Sequence, residues 1–171
     1  MFGPGTRENM KIKVLLVPVR NEKAELKIVH EMFENATVIV MSNPRAHDKS
    51  IATVLGLTYF VNIAFAKVMS EGNISIFKQV SGTTFGLQSL LAESILTNEP
   101  DLVAALIQEN PYTKNYIKHY LKEASAVAKM ASANDSQKLK DDLRKVRSKL
   151  EEWQDLEQSY KRMYDIIDNI K

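Results

Sequence analysis

His47 and Asp48 stand side by side at the mouth of a long apolar run, Ile51 to Phe60. An imidazole next to a carboxylate can share a divalent cation, as in metal-dependent phosphohydrolases, where a second His upstream and an Asp downstream converge on the same ion. Here His30 falls on a surface-like helix and His119 in a Lys- and Tyr-rich stretch, so the dipeptide stands without its expected partners. The pair can equally be structural, with Asp48 capping the helix that follows and His47 hydrogen-bonded across a domain boundary. A third use is to face a ligand. Packing alone is a poor reason for a polar pair at the start of an apolar helix.

The elements that must position this pair change character near Pro44. Before it, Val14–Val17 and Ala36–Met41 are short β-branched runs flanking a helical stretch, Lys23 to Glu34, with Leu26, Val29, Met32 and Phe33 on its apolar face. Two strands and one helix do not make a stable sheet, so this unit reads as the edge of a larger one. After Asn43-Pro44 the period is helical. The spacing predicts helices over Ala46–Met69, Ile74–Thr97, Asp101–Glu109 and Pro111–Ala131. Gly72-Asn73 supplies C-cap chemistry and Asp101 an N-cap. A break at 133–136 precedes a final helix to about Ile170, whose apolar residues from Leu139 through Trp153 to Ile167 alternate three- and four-residue steps.

Composition narrows the function classes. The 171 residues are 44% apolar and 26% charged, enough for one sizeable core, and 23 basic against 21 acidic side chains leave a net charge of +2 without a basic block. Nucleic acid is not an expected partner. Tyr112, Tyr116 and Tyr120 interleave with Lys114, Lys118 and Lys122, and we read them as a half-buried bundle face with lysine stems lying along it. Cysteine is absent, which removes disulfides, thiolate metal sites and a cysteine nucleophile. The opening lacks a basic-then-apolar secretion pattern and no run of eighteen apolar residues occurs, so the expectation is a cytoplasmic protein with no membrane partner.

Three stretches in order give the chain a family likeness: Met1-Phe-Gly-Pro4; His47-Asp48 opening a helix that continues Ile51-Ala-Thr-Val-Leu-Gly-Leu-Thr58; and Leu91 to Pro111, with its Asn98-Glu-Pro100 break and Glu109-Asn-Pro111 close. In these it resembles the prephenate dehydrogenase family, whose His-Pro-Met-Phe-Gly-Pro motif the first stretch matches at its tail. The resemblance implies a mainly α chain. Residues 1–44 would be the strand–helix–strand remnant of a Rossmann-type nucleotide-binding sheet, and residues 45–171 an all-helical dimerisation and substrate-cleft domain. It implies a homodimer, a missing N-terminal nucleotide-binding half as partner, and prephenate or arogenate as substrate. NAD or NADP would serve the complete enzyme.

By the same match the family's catalytic His would precede Met1 by two residues, and no Gly-x-Gly-x-x-Gly follows a strand here. The resemblance therefore implies neither a catalytic nor a cofactor-binding residue in this chain, and no dehydrogenase activity for it alone. Its substrate-binding residues would be His47, with Asp48 orienting it, together with Tyr59 and Ser94. Tyr59 replaces a His that many members carry; it donates a hydrogen bond but bears no charge near neutral pH. Ser94 stands where members place an arginine for a substrate carboxylate, and a hydroxyl does not replace a bidentate guanidinium. Arg45 and Lys78 are the basic candidates to substitute. The alternative is a stand-alone helical oligomerisation or regulatory module without catalysis.

Overall fold

A computed structural model describes residues 12–133 and 136–168. The Met1–Pro4 motif, Asn134-Asp135 and the last three residues lie outside the described residues. The chain begins with a strand, a helix and a strand: β1 (Ile12–Leu16), α1 (Glu22–Met32) and β2 (Ala36–Val40). The strands pair in parallel, Ile12 opposite Ala36 through Leu16 opposite Val40, and α1 supplies the crossover that parallel pairing demands. Asn21 starts α1 by accepting from the Ala24 N–H at 3.1 Å. No residue of α1 is buried, and Met32, on its expected apolar face, is exposed.

One continuous helix then runs Pro44–Ser70. It consists of α2 (Pro44–Ile51), a π-helical segment (Ala52–Leu57) and α3 (Thr58–Ser70). Its start lies two residues before the expected one because Pro44, with no N–H to leave orphaned, occupies the first turn. The π segment has no signature in a 3.6-residue periodicity, since it is a local one-residue widening of the same helix. By length and composition alone this helix is apolar enough to cross a bilayer: its best window reaches a mean hydropathy of 1.6, with 17% of that window buried.

The expected helix over Ile74–Thr97 is two helices, α4 (Ile74–Val80) and α5 (Thr83–Leu96), parted where Ser81 turns extended. The capping expected of Asp101 is also corrected. In α6 (Pro100–Gln108) proline sits in the first turn, the flanking residue is Glu99 without a side-chain cap, and Asp101 lies inside the helix. α7 spans Thr113–Ser132.

The continuous last helix is corrected as well. α8 (Ser136–Glu151) and α9 (Ser159–Asp168) are separated by seven non-helical residues. Asp155 turns the chain there by accepting from the Glu157 N–H at 3.0 Å, while Arg162 donates to the Asp155 carbonyl. Arg147 pairs with Glu151 at 2.6 Å and reaches Glu157 at 3.8 Å.

The chain divides into two compact units. One holds the residues through Ala64 together with Ser94–Tyr116; the other holds Phe65–Glu93 together with the residues from Ile117 onward. In the first, Ala52, Asn62, Ile95 and Thr113 are buried. In the second, Phe85 meets Phe65 and Phe77 edge-on, with ring centroids 6.1 and 6.2 Å apart. The architecture is mainly α with a short parallel strand–helix–strand unit ahead of the helices, as expected.

Candidate functional site

Asn43 begins α2 by accepting from the Ala46 N–H at 2.9 Å, so the cap expected of Asp48 belongs to Asn43 instead. The reason is position: Asp48 is the fifth residue of α2, beyond reach of the free first-turn N–H groups. There it does something else. Its Oδ1 lies 3.0 Å from His47 Nδ1, and the two side chains are 35% and 45% exposed, open enough to meet a ligand and ordered enough to present one imidazole edge.

A second segment ties this turn down from 62 residues away. Asn110, just beyond α6, donates its side-chain amide to the Asp48 carbonyl at 2.7 Å, and its Oδ1 accepts from the Tyr112 N–H at 3.0 Å. Lys49 Nζ sits 5.6 Å from the centroid of the Tyr112 ring. Thr113 is fully buried against the π segment, so close to Gly56 that a Cβ there would lie 2.5 Å from Thr113 Oγ1. Gly56 is thus required by the approach of Thr113. The Thr113 hydroxyl is a buried donor with no partner among the described residues. Residues 110–113 act as a staple across the helix that carries His47 and Asp48.

Asn62 also escaped the sequence reading. It is 5% exposed and donates to the Thr58 carbonyl at 2.9 Å, and an isolated asparagine in an apolar run gives no sign of that. Asn110 was visible only as part of a motif, without the bond that gives it a role.

The other expected site residues are not brought onto the His47–Asp48 turn. Tyr59 is half-buried on the same continuous helix, twelve residues on, which is roughly 18 Å along the axis at helical rise. Ser94 is exposed near the end of α5, where its carbonyl accepts from the Thr97 hydroxyl at 2.7 Å and the Asn98 amide at 3.1 Å. Arg45 is exposed on α2, two residues before His47, and makes no ion pair among the described residues. Lys78 belongs to the other unit, where it pairs with Glu93 at 3.7 Å. There it helps line a cavity of about 480 Å³ with Phe85, Leu90 and Ile167. No group of three or more His, Asp or Glu suited to a metal ion occurs among the described residues.

The turn from β1 into α1 is closed by a carboxylate from the chain itself. Its N–H groups are taken. Glu25 folds back and its carboxylate accepts from Val19 at 2.9 Å, Arg20 at 2.8 Å and Asn21 at 3.0 Å. The N–H of Asn21, then those of Arg20 and Val19, hold the Glu25 carboxyl below its usual range. The turn has neither a glycine nor free N–H groups at Val19, Arg20 and Asn21 with which to hold a dinucleotide phosphate.

Residues 43–145 match the family model described as prephenate dehydrogenase, dimerization domain. A probable arogenate/prephenate dehydrogenase of Methanocaldococcus jannaschii is 22% identical over 140 residues, which make up 79% of this chain and 31% of that protein. The crystal structure of Synechocystis arogenate dehydrogenase superposes with a TM-score of 0.63 at 14% identity, covering 88% of this chain and 56% of that one, a likeness of fold. The chain thus spans about a third of the curated relative and a little over half of the solved one. Since the family model covers more than half of its residues, this chain belongs to the prephenate dehydrogenase family, with residues 43–145 as its dimerization domain.

Proposed function

We propose that these residues form the dimerisation part, and one wall of the substrate cleft, of an enzyme that oxidises prephenate or its amino analogue arogenate. Hydride passes from the carbon that bears the ring hydroxyl to NAD or NADP, and loss of carbon dioxide returns an electron pair to the ring, which becomes a phenol on the route to tyrosine. The nicotinamide site and the catalytic His lie outside these residues in this reading. Residues 1–44 are the edge of the nucleotide-binding sheet and 45–171 the helical domain. One observation carries it: the family's dimerization domain directly follows a parallel strand–helix–strand unit.

His47 lines the cleft, Asp48 orients its imidazole, and Tyr59 and Ser94 contribute hydroxyls further along the wall. The protein works as a homodimer in the cytoplasm. The apolar helix Pro44–Ser70 faces protein rather than lipid, because it lies within the dimerization domain and seats the buried Asn62 and the Asn110–Thr113 staple.

The purified chain mixed with prephenate and NAD or NADP should give no reduced nicotinamide, and measurable reduction would contradict the division of labour. Binding is read separately from the three histidine ring signals in NMR. Prephenate or arogenate should move the His47 signal and leave His30 and His119 unmoved. Ser94→Arg should tighten that binding by about tenfold, the worth of a charged bidentate pair.

A stand-alone oligomerisation module is the second reading. It is favoured by Ser94 standing where the guanidinium is expected. A His47 signal indifferent to both acids, before and after Ser94→Arg, would select it.

A further inference from the structure

We infer that the outward faces of α8 and α9, joined at Trp153, are covered by a second copy of this chain, which extends the dimer contact beyond the family's domain. The inference rests on the homodimer reading above and adds a surface to it. The family domain ends at residue 145, in the middle of α8, but the apolar row on that helix does not. Leu143, Val146, Leu150 and Trp153 follow at steps of three, four and three, on one helical face and the turn after it. They are 60%, 50%, 44% and 86% exposed. On α9, Tyr160 and Tyr164 are one turn apart and 66% and 51% exposed.

Among the described residues nothing covers this row. No residue of α8 or α9 is buried, and the two helices do not pack lengthwise on each other. The side of α9 that turns inward is a different one: Met163 and Ile167 are half-buried, and Ile167 lines the cavity with Phe85 and Leu90. The outward row is therefore surplus to the fold of one copy. Its composition, one tryptophan and two tyrosines with aliphatic residues between, is that of a contact core.

Charge says which surface covers it. α8 carries six basic against three acidic side chains, whereas 152–168 carries five acidic against two basic. α9 itself is balanced, and the acidic excess sits in the segment before it, at Glu152, Asp155 and Glu157. A two-fold axis that lays α8 of one copy along 152–168 of the next therefore brings opposite net charges together twice, since an isologous contact repeats every pairing. α8 is also continuous with the dimerization domain, so the contact that domain makes leads into this one. A second copy meets both conditions.

Trp153 is the chain's one tryptophan, so its fluorescence reports this surface alone. The test combines sedimentation of the full chain with acrylamide quenching of Trp153, across dilution and added salt. We expect a dimer in which quenching is at least threefold weaker than for a free indole. Dilution should restore quenching, salt should weaken the dimer, and Trp153→Ser should raise its dissociation constant by tenfold or more while helical circular dichroism is kept. A dimer whose Trp153 is quenched like free indole overturns this inference and leaves the dimer reading intact. A monomer at micromolar concentration overturns both. A shift in Trp153 emission on neutral phosphatidylcholine vesicles, without self-association, overturns the inference in favour of a lipid surface.

Discussion

The staple around residues 110–113 and the pair α8–α9 show two opposite ways for a helix to be held. In the first, the contacts close inside the chain, the Thr113 hydroxyl apart. Asn110 closes on the Asp48 carbonyl, and Thr113 is sealed against Gly56 of the π segment. In the second, a row of apolar side chains as long as two helical turns and a loop stays open, although the helices beneath it are regular. Stability of one copy should therefore be sensitive to the staple and indifferent to α8–α9. Self-association should show the reverse.

The strongest way to break that contrast is to overfill the staple. Gly56→Val places side-chain atoms where Thr113 already sits and should cost about 3 kcal/mol or more in chemical denaturation. Gly56→Ala in a Thr113→Ala background should recover most of the loss that Gly56→Ala shows alone, because two of the three colliding atoms are then gone. Additive losses would mean that the contact is not what holds the segment. Next in size, Asn110→Ala removes a bond to a half-buried carbonyl together with its own turn, and should cost about 1–2 kcal/mol. It should also disturb the His47 ring signal while sparing His30 and His119.

On the other side of the comparison, Leu143→Ser should change the stability of a single copy by less than about 0.5 kcal/mol, since the residue is mostly solvated. A loss as large as that of Asn110→Ala would show the row to be core and erase the contrast. The smallest effect belongs to Glu25. Its carboxyl is held below the usual range when folded, so it favours the fold above its unfolded pKa, and that contribution is lost as pH falls through the lower folded value. Glu25→Gln should flatten the acid limb of a stability profile by lowering stability slightly at neutral pH, while leaving it unchanged below that window.

Much of the architecture was legible because its signals are local. Asn43-Pro44 announces a helix start through a side-chain oxygen and a ring-fixed φ, and β-branched runs flanking a helical stretch announce a parallel crossover. The corrections come from places where a local rule met a non-local or sub-periodic fact. The apolar steps continue unbroken from Leu150 through Trp153 and Leu156 to Tyr160, yet Asp155 bends the backbone through a hydrogen bond two residues long. The π segment adds a residue without disturbing the apolar pattern. Asp48 has the chemistry of a cap, but Asn43 holds the position.

The candidate site was legible only in part. His47 and Asp48 were identified by type and meet at 3.0 Å, whereas the bond that ties their turn down comes from Asn110, 62 residues away, where no spacing rule reaches. Tyr59 shares their helix but sits several turns along it. That Glu25 occupies the β1–α1 turn could not be read from the absence of glycines; it required seeing the carboxylate fold back.

Sedimentation equilibrium of the full chain at micromolar concentration tests the central claim most directly. The account predicts a mass of about twice 19.4 kDa, falling toward one copy on dilution. A single species of 19.4 kDa throughout that range would contradict it.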